Sequence, residues 1–201
     1  MVAQLPPAKH KEKLRAAVLE HRGELDADDI ERASVLLCHR LGAHSVYKQA
    51  DCIGGYSAIR GEIDPRCLLE DALDDGRIVC LPRVIDEHHI EFSQIEGFDA
   101  LEEGAFGVME PRGPAIDLGR IDVFLVPGVA FDPHGGRIGF GRGYYDRLLG
   151  RRRAMDDGDS AVFIGICYEW QLVEDTIAVE PHDVAMDVIA TDQEILRVAE
   201  T

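Results

Sequence analysis

Apolar positions along this chain change their period several times, and each change marks an element. Residues 9–22, KHKEKLRAAVLEHR, read as a polar helix. Beyond Asp26, a candidate N-cap, Ile30, Ala33, Leu37 and Leu41 recur at helical spacing and predict a second helix with one buried face. CIGGYSAI, from Cys52, is the first strand-like run. In GEIDP, which follows, Asp64 can cap a helix and Pro65 suits its first position; Leu68, Leu69, Ala72 and Leu73 then face inward until Gly76 stops the run.

RIVCLPRV, residues 77–84, predicts the next strand, and DEHH turns it into HIEFSQI as a local hairpin. Residues 97–119 are loop-rich. IDVFLVP at 121–127 and AVFIGIC at 161–167 are nearly unbroken apolar runs, the mark of strands covered on both faces. YYDRLLGRRR between them reads as a helix. Helices thus alternate with buried strands, and neither a repeat nor a linker interrupts the 201 residues. The economical architecture is one α/β domain over residues 1–201, with a mostly parallel sheet flanked by helices.

Charge narrows the partners. Acidic residues outnumber basic ones 38 to 21, a net charge of −17 that repels nucleic-acid backbones and anionic membrane surfaces. Lysine occurs four times against 17 arginines and 21 aspartates, a skew suited to a surface that stays hydrated in concentrated salt. No apolar run approaches the roughly 20 residues of a membrane helix, and MVAQLPPAKHKEK lacks a secretory stretch, so a cytoplasmic location is expected. The five cysteines are odd in number, widely spaced and without a CxxC pair, which predicts reduced, mostly buried thiols.

Candidate chemistry concentrates in VPGVAFDPHGGRIGFGRGYYDRLLG, residues 126–150. A buried strand, a loop with Gly135, Gly136, Gly139, Gly141 and Gly143, and then a helix are the parts from which phosphate sites are built. Glycines let backbone N–H groups approach an anion, and the helix presents its positive end. The spacing matches neither GxGxxG nor the P-loop. In so acidic a chain the gathering of Arg137, Arg142, Arg147 and Arg151 to Arg153 strengthens the anion reading, with Arg137 and Arg142 assigned to it and the RRR triplet to structure. Asp146 reads equally as a magnesium ligand and as a favourable charge near a helix start. Lys9, Lys11, Lys13 and Arg15 form a second basic cluster, which by itself reads as a solvated face.

With those residues in view, the chain resembles the 5-formyltetrahydrofolate cyclo-ligase family. The resemblance rests on KEKLR at 11–15, GEID at 61–64, LPRV at 81–84, MEP at 109–111, the glycine segment, and PHDVAMD at 181–187. It implies a Rossmann-like three-layer α/β sandwich and an ATP- and magnesium-dependent cyclisation of 5-formyltetrahydrofolate to 5,10-methenyltetrahydrofolate. Carried over residue by residue, Lys11 and Arg15 meet ATP phosphates. Arg137, Ile138, Gly139, Phe140, Gly141, Arg142, Gly143, Tyr144 and Tyr145 form the nucleotide loop, and Asp146 and Asp183 hold magnesium. Ile59 and Asp64, with Glu62 as the other candidate carboxylate, face the folate. Gly141 to Tyr144 lie near the transferred phosphoryl group, with Arg142 and Tyr144 as the catalytic pair.

Such chemistry needs no protein nucleophile: phosphorylating the formyl oxygen creates a leaving group, and the neighbouring folate amine closes the ring. Positioning phosphates and neutralising their charge is then the task left to the protein. His134, His182, His88 and His89 read as loop or turn residues. The competing readings are an ATP-dependent paralogue acting on another amide or carboxylate, and a non-catalytic folate-binding protein. A sugar-phosphate isomerase of related architecture is remoter. Oligomeric state is not encoded in these patterns.

Overall fold

The computed structural model describes residues 7–155 and 161–199. Five helices, α1 (Pro7–Gly23), α2 (Ala27–Ala43), α3 (Ser45–Lys48), α4 (Arg66–Asp74) and α5 (Tyr144–Arg153), accompany a seven-stranded sheet. Its strands are β1 (Cys52–Gly54), β2 (Ile78–Val84), β3 (Ile90–Ile95), β6 (Val123–Pro127), β9 (Val162–Ile166), β10 (Val188–Ala190) and β11 (Ile195–Arg197), in the order β11-β10-β9-β6-β1-β2-β3. The five central strands run parallel, and β3 and β11 close the edges antiparallel. Two small hairpins lie apart: β4 (Glu102–Glu103) with β5 (Met109–Glu110), and β7 (Ala130–Phe131) with β8 (Arg137–Ile138).

Alternation along β6 shows why the sheet has helices on both faces. Val123 and Leu125 pack with Leu37 and Leu41 of α2 and Leu68 and Leu69 of α4, whereas Phe124 and Val126 pack with Leu148 and Leu149 of α5. On the second face Phe124 meets Phe92 and Phe163 edge-to-face, with ring centroids 5.4 and 5.6 Å apart. The expected three-layer α/β architecture with a mostly parallel sheet is what the chain adopts. The predicted hairpin is β2 with β3, and Asp26 caps α2 by accepting the Asp29 N–H at 2.8 Å.

Three expectations need correction. The first strand spans only Cys52–Gly54, not the whole of CIGGYSAI. Gly55 still donates its N–H to the Cys80 carbonyl of β2 at 2.8 Å, and Leu69 of α4 leaves no room there for a side chain, a Cβ falling 2.5 Å from it; beyond Gly55 the chain builds a loop over the carboxyl edge of the sheet. Second, Cys38 on α2 and Cys67 in the first turn of α4 form a disulfide, their Cα atoms 6.4 Å apart, so only Cys52, Cys80 and Cys167 are buried thiols. A separation of 29 residues carries no sequence signal for that pairing. Third, β10 and β11 supply two strands that the apolar pattern did not announce, because each is three residues long. The first six residues of the segment judged for a leader lie outside the described residues. Among the described residues no helix is long and apolar enough to cross a membrane.

Candidate functional site

In a parallel sheet the chain order reverses at a switch point, and a crevice opens at the carboxyl ends of the strands there. Here the reversal lies between β1 and β6, and a cleft of about 570 Å³ occupies it. Its walls are the loop after β1, the end of β2, the glycine loop after β6, α1, and residues 180–183. All but one of the predicted site residues line it: Lys11, Arg15, Ile59, Glu62, the run Arg137 to Asp146, and Asp183. Asp64 does not. Its carboxylate accepts the Arg66 N–H at 2.9 Å just before α4, but the N-cap position falls to Pro65, one residue later than GEIDP suggested, and no side chain caps the helix there.

The glycine loop is anchored from below. Asp132, fully buried, accepts N–H groups of His134, Gly136 and Ile177 at 2.8, 2.9 and 2.6 Å, which fixes the turn before β8. Ile138 is buried, and the Gly139 carbonyl accepts Arg15 Nε at 2.9 Å. Gly141 and Gly143 take φ of 93° and 65°, where glycine is the residue without steric cost. Gly143 caps α5, so the loop delivers the helix's N-terminus to the cleft. The Tyr144 hydroxyl donates to the Asp86 carbonyl at 3.1 Å and Arg147 Nε to the His88 carbonyl at 2.6 Å, tying the β2–β3 turn to α5.

Two cations of the cleft are paired with carboxylates. Lys11 Nζ lies 2.6 Å from Asp183 Oδ2, and Arg137 Nη2 lies 2.8 Å from Asp146 Oδ1. Lys11 and the Glu180 backbone N–H hold the Asp183 carboxyl below its ordinary range against an opposing burial effect. His182 lies in a turn, as expected, and there Glu180, His182 and Asp183 place one potential ligand atom each within 4.8 Å of one another.

On the opposite wall, Glu62 is 5% exposed; its Oε2 accepts the Ile59 N–H at 3.1 Å, and its Oε1 lies 3.6 Å from Arg22 Nη1. Burial pushes this carboxyl up to about 7, with Arg22 opposing. Burial likewise raises the Tyr145 phenol, whose hydroxyl has no hydrogen-bond partner among the described residues. Sequence reasoning missed Arg22, Tyr56, Arg60, Arg83 and Glu110. Arg22 sat at the end of a helix judged polar, and Arg83 and Glu110 fell within LPRV and MEP without an assigned role. Phe140 has its ring near the guanidinium groups of Arg22 and Arg60, at 5.8 and 5.6 Å.

Fold and cleft together define a doubly wound α/β protein with a charged crevice at its switch point. The chain belongs to the 5-formyltetrahydrofolate cyclo-ligase family, whose sequence model matches residues 7–192. It is 27% identical over 198 residues to a probable 5-formyltetrahydrofolate cyclo-ligase of Schizosaccharomyces pombe, covering 93% of this chain and 97% of that one. The 5-formyltetrahydrofolate cyclo-ligase of Mycolicibacterium smegmatis is 30% identical over 191 residues, with 91% and 94% covered. The solved structure of Aquifex aeolicus 5,10-methenyltetrahydrofolate synthetase superposes with a TM-score of 0.81 at 32% identity, covering 95% of this chain and 94% of that one. The family resemblance read from the motifs is thereby confirmed, and with it membership of an enzyme family.

Proposed function

We propose that the protein cyclises 5-formyltetrahydrofolate to 5,10-methenyltetrahydrofolate at the expense of ATP, releasing ADP and phosphate. The observation that carries this reading is the single cleft shared by Lys11, Arg15, the loop Arg137–Tyr145, Asp146, Asp183, Ile59 and Glu62. Lys11, Arg15, Arg137 and Arg142 bind the triphosphate, and N–H groups of the Gly139–Gly143 loop add further donors. Ile59 and Glu62 orient the folate. Arg142 and Tyr144 sit beside the path of the transferred phosphoryl group.

Asp146 and Asp183 fit a magnesium ion: both carboxylates line the cleft, and hard oxygen donors are what that cation takes. Magnesium bound there supplies charge neutralisation to phosphate oxygens. Because the two carboxylates are paired with Arg137 and Lys11 before substrate arrives, those cations are held at the phosphate positions in advance. The formyl oxygen takes the phosphoryl group, the folate amine attacks the activated carbon, and phosphate departs as the ring closes. Purified protein with 5-formyltetrahydrofolate and MgATP should develop the methenyl chromophore. No ATP-dependent signal over a range of salt concentrations would reject the assignment.

A further inference from the structure

Arg22 has no place in the motifs that identify the family and does not itself line the cleft, yet it is 2% exposed and lies beside Glu62, which does line it. It closes the last turns of α1, and three separate segments converge on it. Its Nη2 donates to the Gly128 carbonyl at 2.7 Å, at the base of the glycine segment. Its guanidinium lies 5.8 Å from the Phe140 ring centroid, within the glycine loop. Its Nη1 stands 3.6 Å from Glu62 Oε1, and Nη1, Nε and that Oε1 are all buried without a hydrogen bond among the described residues.

A buried carboxylate that lacks a hydrogen bond on one oxygen depends on neighbouring charge to stay ionised, here in addition to the Ile59 N–H that Glu62 Oε2 accepts. Resting on the folate role proposed for Glu62, we infer that Arg22 is a positioning residue that holds Glu62 ionised and oriented towards the folate. The groups around Glu62 make Arg22 the main partner for that task. Arg60, on the same loop, is exposed and has the smaller effect, while Tyr56, Tyr145 and Tyr168 neighbour the carboxyl with phenols raised by burial and so neutral near pH 7. Arg22 opposes the burial that otherwise favours the neutral acid, as seen in a Glu62 carboxyl pushed up to about 7.

The test is the pH dependence of the two Michaelis constants. In wild type, KM for 5-formyltetrahydrofolate should fall as Glu62 ionises near pH 7, and KM for ATP should not follow. In Arg22→Met that limb should move up by at least one pH unit, with KM for folate raised about tenfold at pH 7.5 and KM for ATP, measured at saturating folate, unchanged. Arg22→Lys, which keeps the charge, should recover part of the shift. If Arg22→Met fails to fold, the same question is answered in a Glu62→Gln background, where adding Arg22→Met should raise KM for folate no further. A wild-type-like pH limb in Arg22→Met, equal rises in both Michaelis constants, or an additional rise in the Glu62→Gln background would each overturn the inference. Glu62→Gln without any effect on folate binding would instead retire the folate role of Glu62 itself.

Discussion

At Glu62 two opposing influences meet: burial favours the neutral acid, and the Arg22 guanidinium favours the carboxylate. Burial wins, so the folded-state value of about 7 lies above the ordinary 4.5. A carboxyl raised in this way stabilises the fold fully below its unfolded value, and that contribution, roughly 3 kcal/mol for a shift of this size, is lost as pH rises through about 7. Glu62→Gln should therefore raise the melting temperature relative to wild type more at pH 8 than at pH 5. Equal differences by calorimetry at the two pH values would remove burial as the cause. Asp146 poses the complementary case, a carboxylate 18% exposed against an arginine 5% exposed. Asp146→Asn keeps an acceptor for Arg137 but loses the charge. Stability should fall by about 1–3 kcal/mol, and kcat at saturating MgATP by about a hundredfold. A normal kcat with a lowered melting point would leave Asp146 as a structural partner of Arg137 alone.

Among elements, α2 and α4 are joined covalently as well as by packing, since Cys38 and Cys67 bridge them just beyond the loop that carries Glu62. Closing a loop of this length restricts the unfolded chain, and Cys38→Ser should cost about 3 kcal/mol of stability. Alkylation of denatured, unreduced protein followed by mass spectrometry should modify three cysteines, Cys52, Cys80 and Cys167; five modified residues would contradict the bridge. Long apolar runs and helical stripes were legible in the sequence: β2, β6, β9, α2 and α5 appear where the pattern placed them. Short elements were not. The three residues of β10 are too few to define a period, and β1 ends where Leu69 crowds Gly55, a contact between segments 14 positions apart that no local pattern records.

For the whole molecule, a net charge of −17 implies self-repulsion that added salt screens. The melting temperature should rise by about 10 °C between low salt and 2 M potassium chloride, and a flat melting series would leave the aspartate excess unexplained. Motifs placed most candidate residues in one cleft, because glycine loops and basic clusters are local signals. The pairings that organise the cleft, Lys11 with Asp183 and Arg22 with Glu62, join residues far apart in the chain and became visible only in the fold. Those two pairs also stand at opposite ends of one helix. Lys11, Arg15 and Arg22 all lie on α1, spanning about 17 Å at the ordinary helical rise, with the proposed nucleotide contacts at one end and the proposed folate support at the other. A rod that must be seated correctly for either ligand makes their affinities interdependent, and such interdependence is reciprocal by thermodynamic necessity. A non-hydrolysable ATP analogue should tighten folate binding, and folate should tighten the analogue by the same factor. Titrations that find the two ligands indifferent to one another would mean that α1 yields locally at each end instead of moving as one body.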